Sequence, residues 1–418
     1  MKAHFFLFAF LILQGTFVSA QVSQELILGG SDSAKIQIHT FGNGYYHSGD
    51  LHREFISVFY KGGFIDSTNK ASVLEELKEQ NTIGAELEAG IEVYLPTTPF
   101  FRIPGWNWFF SAKHVENYSL SFTDRLFELT FFGNANMIDT AIDLGPLDFQ
   151  MLRFQKLGAG AYHKETKSRI SFSFIKGEQF SDFHADRATY FSDRRDFMLA
   201  LDLDGTWRGS DTAQKGLAAF NGWGMCTDLV WYLNSGKNRS IHFHQVFRLA
   251  LENFGFIRWN GQSQFQQTDT TFEYRGIEVN NLLEGISNPF VQTNLQDTLG
   301  WHPSQEGHTQ WLPFTFSLSG IAQPFSDQKI QGFYGVRLRA WSNYRPMFHA
   351  GIQYNPVKNI ALSAFGAFGG YGGFRGGLNV LGKIGNHFSF GLYTGNIAGW
   401  FSKKSTGMDA GISLNAFF

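Results

Sequence analysis

Cysteine is all but missing. Cys226 stands alone among 418 residues, so the chain can build neither an intrachain disulfide framework nor a cysteine-based metal site. Charge is also scarce: Lys, Arg, Asp and Glu make up 17% of residues, which would leave a soluble protein of this length short of polar surface. A net charge of −2 and a pI near 6.7 give no basic footprint, and nucleic acid is not expected as a partner. Beyond Leu13 nothing approaches the ~20 consecutive apolar residues that a membrane-crossing helix needs, which excludes a helical inner-membrane protein. The chain has no Gly-x-Ser-x-Gly elbow, so no enzyme is expected, and no cofactor. It also has no internal repeat and no low-complexity linker, so a separate periplasmic domain is not expected.

What the chain has instead is aromatic residues, 17% of the total, with 46 Phe and 46 Gly against 10 Pro. Residues 1–20 read as a secretory signal peptide. Lys2 and His4 precede the apolar run from Phe5 to Leu13, and Val18-Ser19-Ala20 offers small residues for cleavage before Gln21. The residue directly after that cut is Gln21 and not cysteine, so a lipid anchor is not expected.

At the other end, Met408, Ala410, Ile412, Leu414, Ala416 and Phe418 fall on one face of a strand, and Gly407, Asp409, Gly411, Ser413 and Asn415 on the other. This alternation alone also fits an edge strand of a soluble sandwich. A secreted chain that closes a strand on an aromatic residue resembles outer-membrane β-barrels, and that resemblance makes Phe418 the signal read by the barrel assembly machinery. The pattern recurs upstream in Phe388-Phe390-Leu392, Phe374-Leu378-Val380, Ile360-Leu362-Ala364 and Phe348-Ala350-Ile352-Tyr354. Farther back it recurs around Phe314, Phe247, Trp223, Phe197 and Ile170. Lipid outside and a polar lumen inside explain one greasy and one polar face per strand, and a closed barrel leaves no unpaired backbone in hydrocarbon.

These observations predict an all-β fold: a single transmembrane antiparallel up-and-down β-barrel of about 14 strands, with a range of roughly 12–16. Residues 147–418 supply regular strands, about thirteen by this count, with at least one more upstream. Residues 21–146 carry a short helix at 71–80 and a partly inward-folded segment within 102–142 that plugs the lumen. Counting turns back from Phe418 puts Asn234 to Ser240 and Ile384 to His387 at the periplasm and makes 260–308 a long extracellular loop. The chain would lie in the outer membrane of a Gram-negative cell, its C-terminus periplasmic and membrane lipid around it.

Gly222-Trp223-Gly224 with Asp228-Leu229 and Tyr232, then Glu252-Asn253-Phe254-Gly255-Phe256-Ile257-Arg258-Trp259, resemble a large Bacteroidota family of outer-membrane barrels of unknown function. Phe64-Ile65-Asp66, Leu126 to Asn134 and Asp143-Leu144 are similar to its N-terminal motifs. More distantly, the size and glycine-aromatic style resemble FadL-type fatty-acid transport barrels, which implies fourteen strands and a transport role. The sequence departs at the N-terminus, where a polar Gly-Gly-Ser-Asp stretch at 29–32 stands in place of the FadL hatch.

The residues best placed to carry function are inward charges: Arg248, Arg337, Arg339 and Arg375 against Asp202, Asp228, Glu252 and Asp409. A lumen lined by both signs can pass polar solutes, or the charges can pair and hold the interior closed. His242 and His244 share a strand face, and His302, Glu306 and His308 share a loop, but no third ligand at a fixed spacing makes either a metal site. Two functions follow. One is a FadL-like passive channel for a small, hydrophobic molecule. The other is a sealed barrel serving as platform for a secretion or surface-lipoprotein complex, gripping an outer-membrane or surface protein through 260–308 with Phe265, Phe272, Tyr274, Phe290 and Trp301.

Overall fold

The computed structural model describes residues 34–196, 198–235, 243–274, 303–324, 329–357 and 359–418. The strands in chain order are β1 (Gln37–Ser48), β2 (Gln80–Pro99), β3 (Trp106–Thr123), β4 (Ile142–Asp143), β5 (Leu147–His163), β6 (Arg169–Asp193) and β7 (Met198–Gly209). Then come β8 (Gly222–Ser235), β9 (Phe243–Trp259), β10 (Gln264–Tyr274), β11 (Ser304–Gln305), β12 (Thr309–Trp311) and β13 (Thr315–Pro324). The last are β14 (Ile330–Arg339), β15 (Arg345–Val357), β16 (Ile360–Gly370), β17 (Gly372–Ile384), β18 (Phe388–Thr394) and β19 (Gly407–Phe417). Helices α1 (Arg53–Lys61), α2 (Ser67–Glu76), α3 (Asp124–Phe132) and α4 (Ala398–Phe401) complete the elements among the described residues.

A closed antiparallel barrel of 14 strands results, sealed where β1 pairs with β19 from Gln37↔Phe417 to His47↔Gly407. Its wall runs β1, β2, β3, β5, β6, β8, β9, then β13 to β19. Outward positions are apolar and exposed along much of the wall, as at Leu157, Phe172, Met225, Ile352, Phe368 and Phe374. The period-two rule explains the pattern, since each strand turns alternate side chains to opposite sides of a wall one residue thick.

The two ends differ. Where Phe418 bonds back to Lys35 and Ile36, connections are short: His163 to Arg169, Val357 to Ile360, Ile384 to Phe388. The opposite rim carries the helices, the long connections and an overhang of β6. Residues Arg169 to Gly177 of β6 pair with β8 in the wall, but Ser181 to Asp193 pair instead with β7, which pairs onward with β10; on its other side β6 stays paired with β5 as far as Ala185 and runs free of the wall beyond it. The expected strand at 197–203 therefore belongs to this overhang and not to the wall. Alternation alone cannot separate the two, because an exposed two-sided sheet alternates as a wall does.

Residues 21–146 also differ from expectation. They supply three wall strands, β1 to β3, and Trp106 to Thr123 is one of them rather than a plug. Its periodicity is blurred because β3 carries Phe109 and Val115 inward but His114 and Glu116 outward, so neither face is purely apolar. The helix expected at 71–80 begins earlier, at Ser67, because the Asp66 carboxylate accepts from Asn69 N at 2.7 Å and caps it; Gln80 already opens β2. The loss of alternation near Asp124 is α3, capped by the Thr123 hydroxyl, which accepts from Leu126 N at 3.2 Å. These helices pack against the outside of the wall: Phe55, Ile56, Val73 and Phe127 cluster with the outward Tyr46, Ile83 and Phe122. The segments 1–20 and 29–32, and most of the loop 260–308, lie outside the described residues.

Candidate functional site

Inside the wall, strand register gathers charges that are distant in sequence. The period of β2 points Glu86, Glu88 and Glu92 inward together, and β3 turns Lys113 to meet them. Near the termini, Glu92 receives Lys113 Nζ at 2.9 Å, Tyr94 Oη at 2.8 Å and His39 Nδ1 at 3.2 Å. At mid-height Lys156 Nζ donates to both Asp228 oxygens at 2.8 Å and to Asn253 Oδ1 at 2.7 Å. Toward the far rim, Arg339 reaches across the lumen to Glu86 of β2 and Asn117 of β3, while Tyr45 Oη donates to Glu86 at 3.1 Å.

The far mouth is filled from its own loops. In the turn after β14, Ser342 Oγ donates to Asp148 at 2.7 Å and its carbonyl accepts from Ser119 Oγ at 2.9 Å, bridging β14 to β3 and β5. Tyr371, in the turn between β16 and β17, lies against Gly84 of β2 so closely that any side chain there would run into its ring. Gly369 and Gly370 adopt φ of 99° and 71°, a backbone that lets this turn fold inward. Beside these lies an apolar plug of Val115, Phe154, Phe180, Ile257, Trp259 and Leu312, with Trp259 and Phe180 ring centroids 4.4 Å apart. The polar space left between Glu88, Lys113, Lys156 and Glu252 measures about 30 Å³, room for a water or two.

Most of the expected inward charges are where the alternation places them. Arg337 and Arg339 line the lumen, Asp228 and Glu252 border the central cavity, and Arg248 is buried and donates to Ser317 at 3.3 Å. Asp409 receives Thr394 Oγ1 at 3.0 Å and lies 3.2 Å from His47, while Arg375 donates to the Gly369 carbonyl at 2.9 Å. Asp202 is the exception: it sits on the overhang in β7, half-buried, 2.9 Å from Arg187. Phe418 points outward and is exposed, whereas Phe417, an aromatic residue on the same face as Asp409, Ser413 and Asn415, is buried on the inner side. His242 and His302 lie outside the described residues.

Sequence reading missed the other half of the network: Glu86, Glu88, Glu92, Lys113 and Lys156. Its signal was present, since Ile83, Ala85, Leu87, Ala89, Ile91 and Val93 alternate with those carboxylates in β2. A second missed cluster lies on the outside of the wall. There Glu116 lies 2.8 Å from His114 and 3.2 Å from Arg153, and Arg153 lies 3.7 Å from Glu178, which occupies a bulge of β6. Each of these carboxylates is buried, and each has a cationic partner.

Residues 196–392 match the model of a family described as "Family of unknown function (DUF5723)". That stretch contains the Gly222 to Tyr232 and Glu252 to Trp259 motifs, and the N-terminal motifs lie before it. No curated protein matches the chain. Among solved structures, the chain is similar to the translocator domain of autotransporter NalP from Neisseria meningitidis, at 8% identity over 92% of this chain and 89% of that one, TM-score 0.31. The transport unit of autotransporter AIDA-I from Escherichia coli aligns at 7% identity over 100% and 97%, TM-score 0.31. A mutant of the monoaromatic hydrocarbon channel TodX aligns at 9% identity over 96% of each chain, TM-score 0.34.

Proposed function

We propose that this chain is an outer-membrane barrel whose lumen is sealed and whose elaborated rim, facing outward, is a platform for a partner protein. The apolar outer wall supports the membrane assignment, and the contrast between short and long connections supports placing the termini in the periplasm. One observation carries the sealed reading: Arg339 spans the lumen to Glu86 and Asn117, and the turns at Ser342 and Tyr371 close the same mouth. Passive transport through the lumen, the other expectation, requires these groups to move apart. No catalytic role is assigned to any residue. Partner binding falls to the overhang and the loop around 260–308, and the exposed Phe418 ring is the feature offered to the assembly machinery.

Single-protein recordings in planar bilayers test the sealed reading. The native chain should be silent, and a variant carrying Glu86→Ala with Arg339→Ala should conduct. Steady conductance or solute uptake by the native chain would turn the assignment back to a channel. Affinity capture from native membranes, with and without the loop, tests the platform role; a barrel that purifies alone in both forms counts against it.

A further inference from the structure

A groove of about 160 Å³ runs along the outside of the wall beneath α1. Its floor is Ile83, Ala85 and Leu87 of β2 with Met408 and Ala410 of β19, Ile56 and Tyr60 of α1 form its roof, and Tyr118 and Glu116 of β3, bonded to each other at 2.8 Å, border one side. The floor continues down the outward face of β2 through Ala89 and Ile91, so the groove opens onto the apolar belt. From Gln37 near the termini to Tyr45 beside the groove, a tilted strand rises roughly 20 Å, which sets the groove toward the outer boundary of a ~25 Å apolar band.

The groove also has a polar end. Tyr46 lines it, is 7% exposed, and its hydroxyl has no partner in the protein. A buried hydroxyl left unpaired is unfavourable, so the site is incomplete without an oxygen or nitrogen atom to bond it. Trp400 also lines the groove, and its carbonyl and that of Gly399 hold the Arg53 guanidinium at 3.2 and 2.9 Å. An apolar trough open to hydrocarbon, ending on a hydroxyl and with a guanidinium anchored on the backbone of its lining residue Trp400, matches an amphiphile: an acyl chain carrying ester and phosphate oxygens.

We propose that this groove holds one phospholipid of the surrounding bilayer. One acyl chain lies between α1 and β2, and a lipid oxygen accepts from the Tyr46 hydroxyl. The volume is close to that of an apolar cavity that takes up benzene, so it fits a segment of one chain while the rest follows the wall. The inference rests on the membrane reading above.

The test uses the full chain in phosphatidylethanolamine vesicles doped with a diazirine-bearing phosphatidylethanolamine, irradiated and mapped by peptide mass spectrometry. Labelling should concentrate on peptides holding Ile56, Ala85 or Met408, above the belt peptides around Leu362 and Phe374. Ala85→Trp should abolish the groove labels and leave the belt labels. Tyr46→Phe, which preserves shape, should lose the phospholipid that co-purifies with the native chain in native mass spectra. Even labelling around the belt, groove labels that survive Ala85→Trp, or groove labels only from diazirine-palmitate would overturn the proposal. Belt labels without groove labels sink this inference alone, whereas no labels anywhere sink the membrane reading with it.

Discussion

Replacing Arg339 with alanine is the sharpest probe of the sealed lumen. The guanidinium is buried and bonds Glu86 and Asn117, and its loss leaves the Glu86 carboxylate inside the barrel. Breaking a buried pair by removing one partner costs ~3–5 kcal/mol, because the orphaned charge keeps its desolvation cost. Glu86 retains Tyr45 Oη at 3.1 Å and Arg337 at 3.9 Å, so the lower end applies: about 3 kcal/mol, or roughly 100-fold in the folding equilibrium. Urea titration in lipid vesicles, read by gel mobility without boiling and by tryptophan fluorescence, measures it. Arg187→Ala is the control, since that side chain bridges Asp202 and Asp269 on the exposed overhang and should be near neutral. Pairing Glu86→Gln with Arg339→Met should recover part of the loss by removing both charges. If Arg339→Ala unfolds at the same urea concentration as Arg187→Ala, the cross-lumen bridge does not hold the barrel closed, and the reasoning fails.

Leu378→Arg, on the outer face midway along β17, should cost ~2–4 kcal/mol in bilayers and far less in a soluble environment; equal cost in both would contradict a lipid-facing wall. Trp259→Ala should destabilise by ~3–5 kcal/mol by emptying the plug, visible in the same titrations. His308 meets Phe180 edge to face, ring centroids 4.7 Å apart, and burial, with Arg208 nearby, lowers its pKa to about 4. The unfolded imidazole therefore binds a proton more readily than the folded one, so the stability it contributes is full above its ordinary pKa near 6.5 and falls as pH drops toward 4. Urea midpoints at pH 7.5 and 5 should differ by less in His308→Phe than in the native chain; an unchanged difference would remove His308 as the cause.

Much of the wall was legible locally. A strand turns alternate residues to opposite sides, so Tyr334, Val336 and Leu338 place Arg337 and Arg339 inward without reference to any other part of the chain. Strands β14 to β19 read this way because their two faces differ sharply in polarity. Strand β3 did not, since its outward His114 and Glu116 are neutralised by Arg153 and Glu178 from neighbouring strands, partners that no local pattern can announce. The α2 boundary was readable at Asp66, whose carboxylate caps the helix, but the side of the wall on which that helix lies was not.

By itself, then, the sequence determined the all-β class, the face to which each regular strand turns its charges, and the lack of any apolar run beyond Leu13 long enough for a spanning helix, whereas closure entered only through the resemblance to outer-membrane barrels. Period-two alternation and run length are local properties, and they survive without knowledge of the fold. Only the tertiary structure decided that Asp202 belongs to an overhang, that the helices pad the outside of the wall, and that Arg339 meets a carboxylate 253 residues away. Those outcomes depend on which strands become neighbours around the ring and how far each runs past its rim. Pairing between distant segments sets both, and no window of residues contains it.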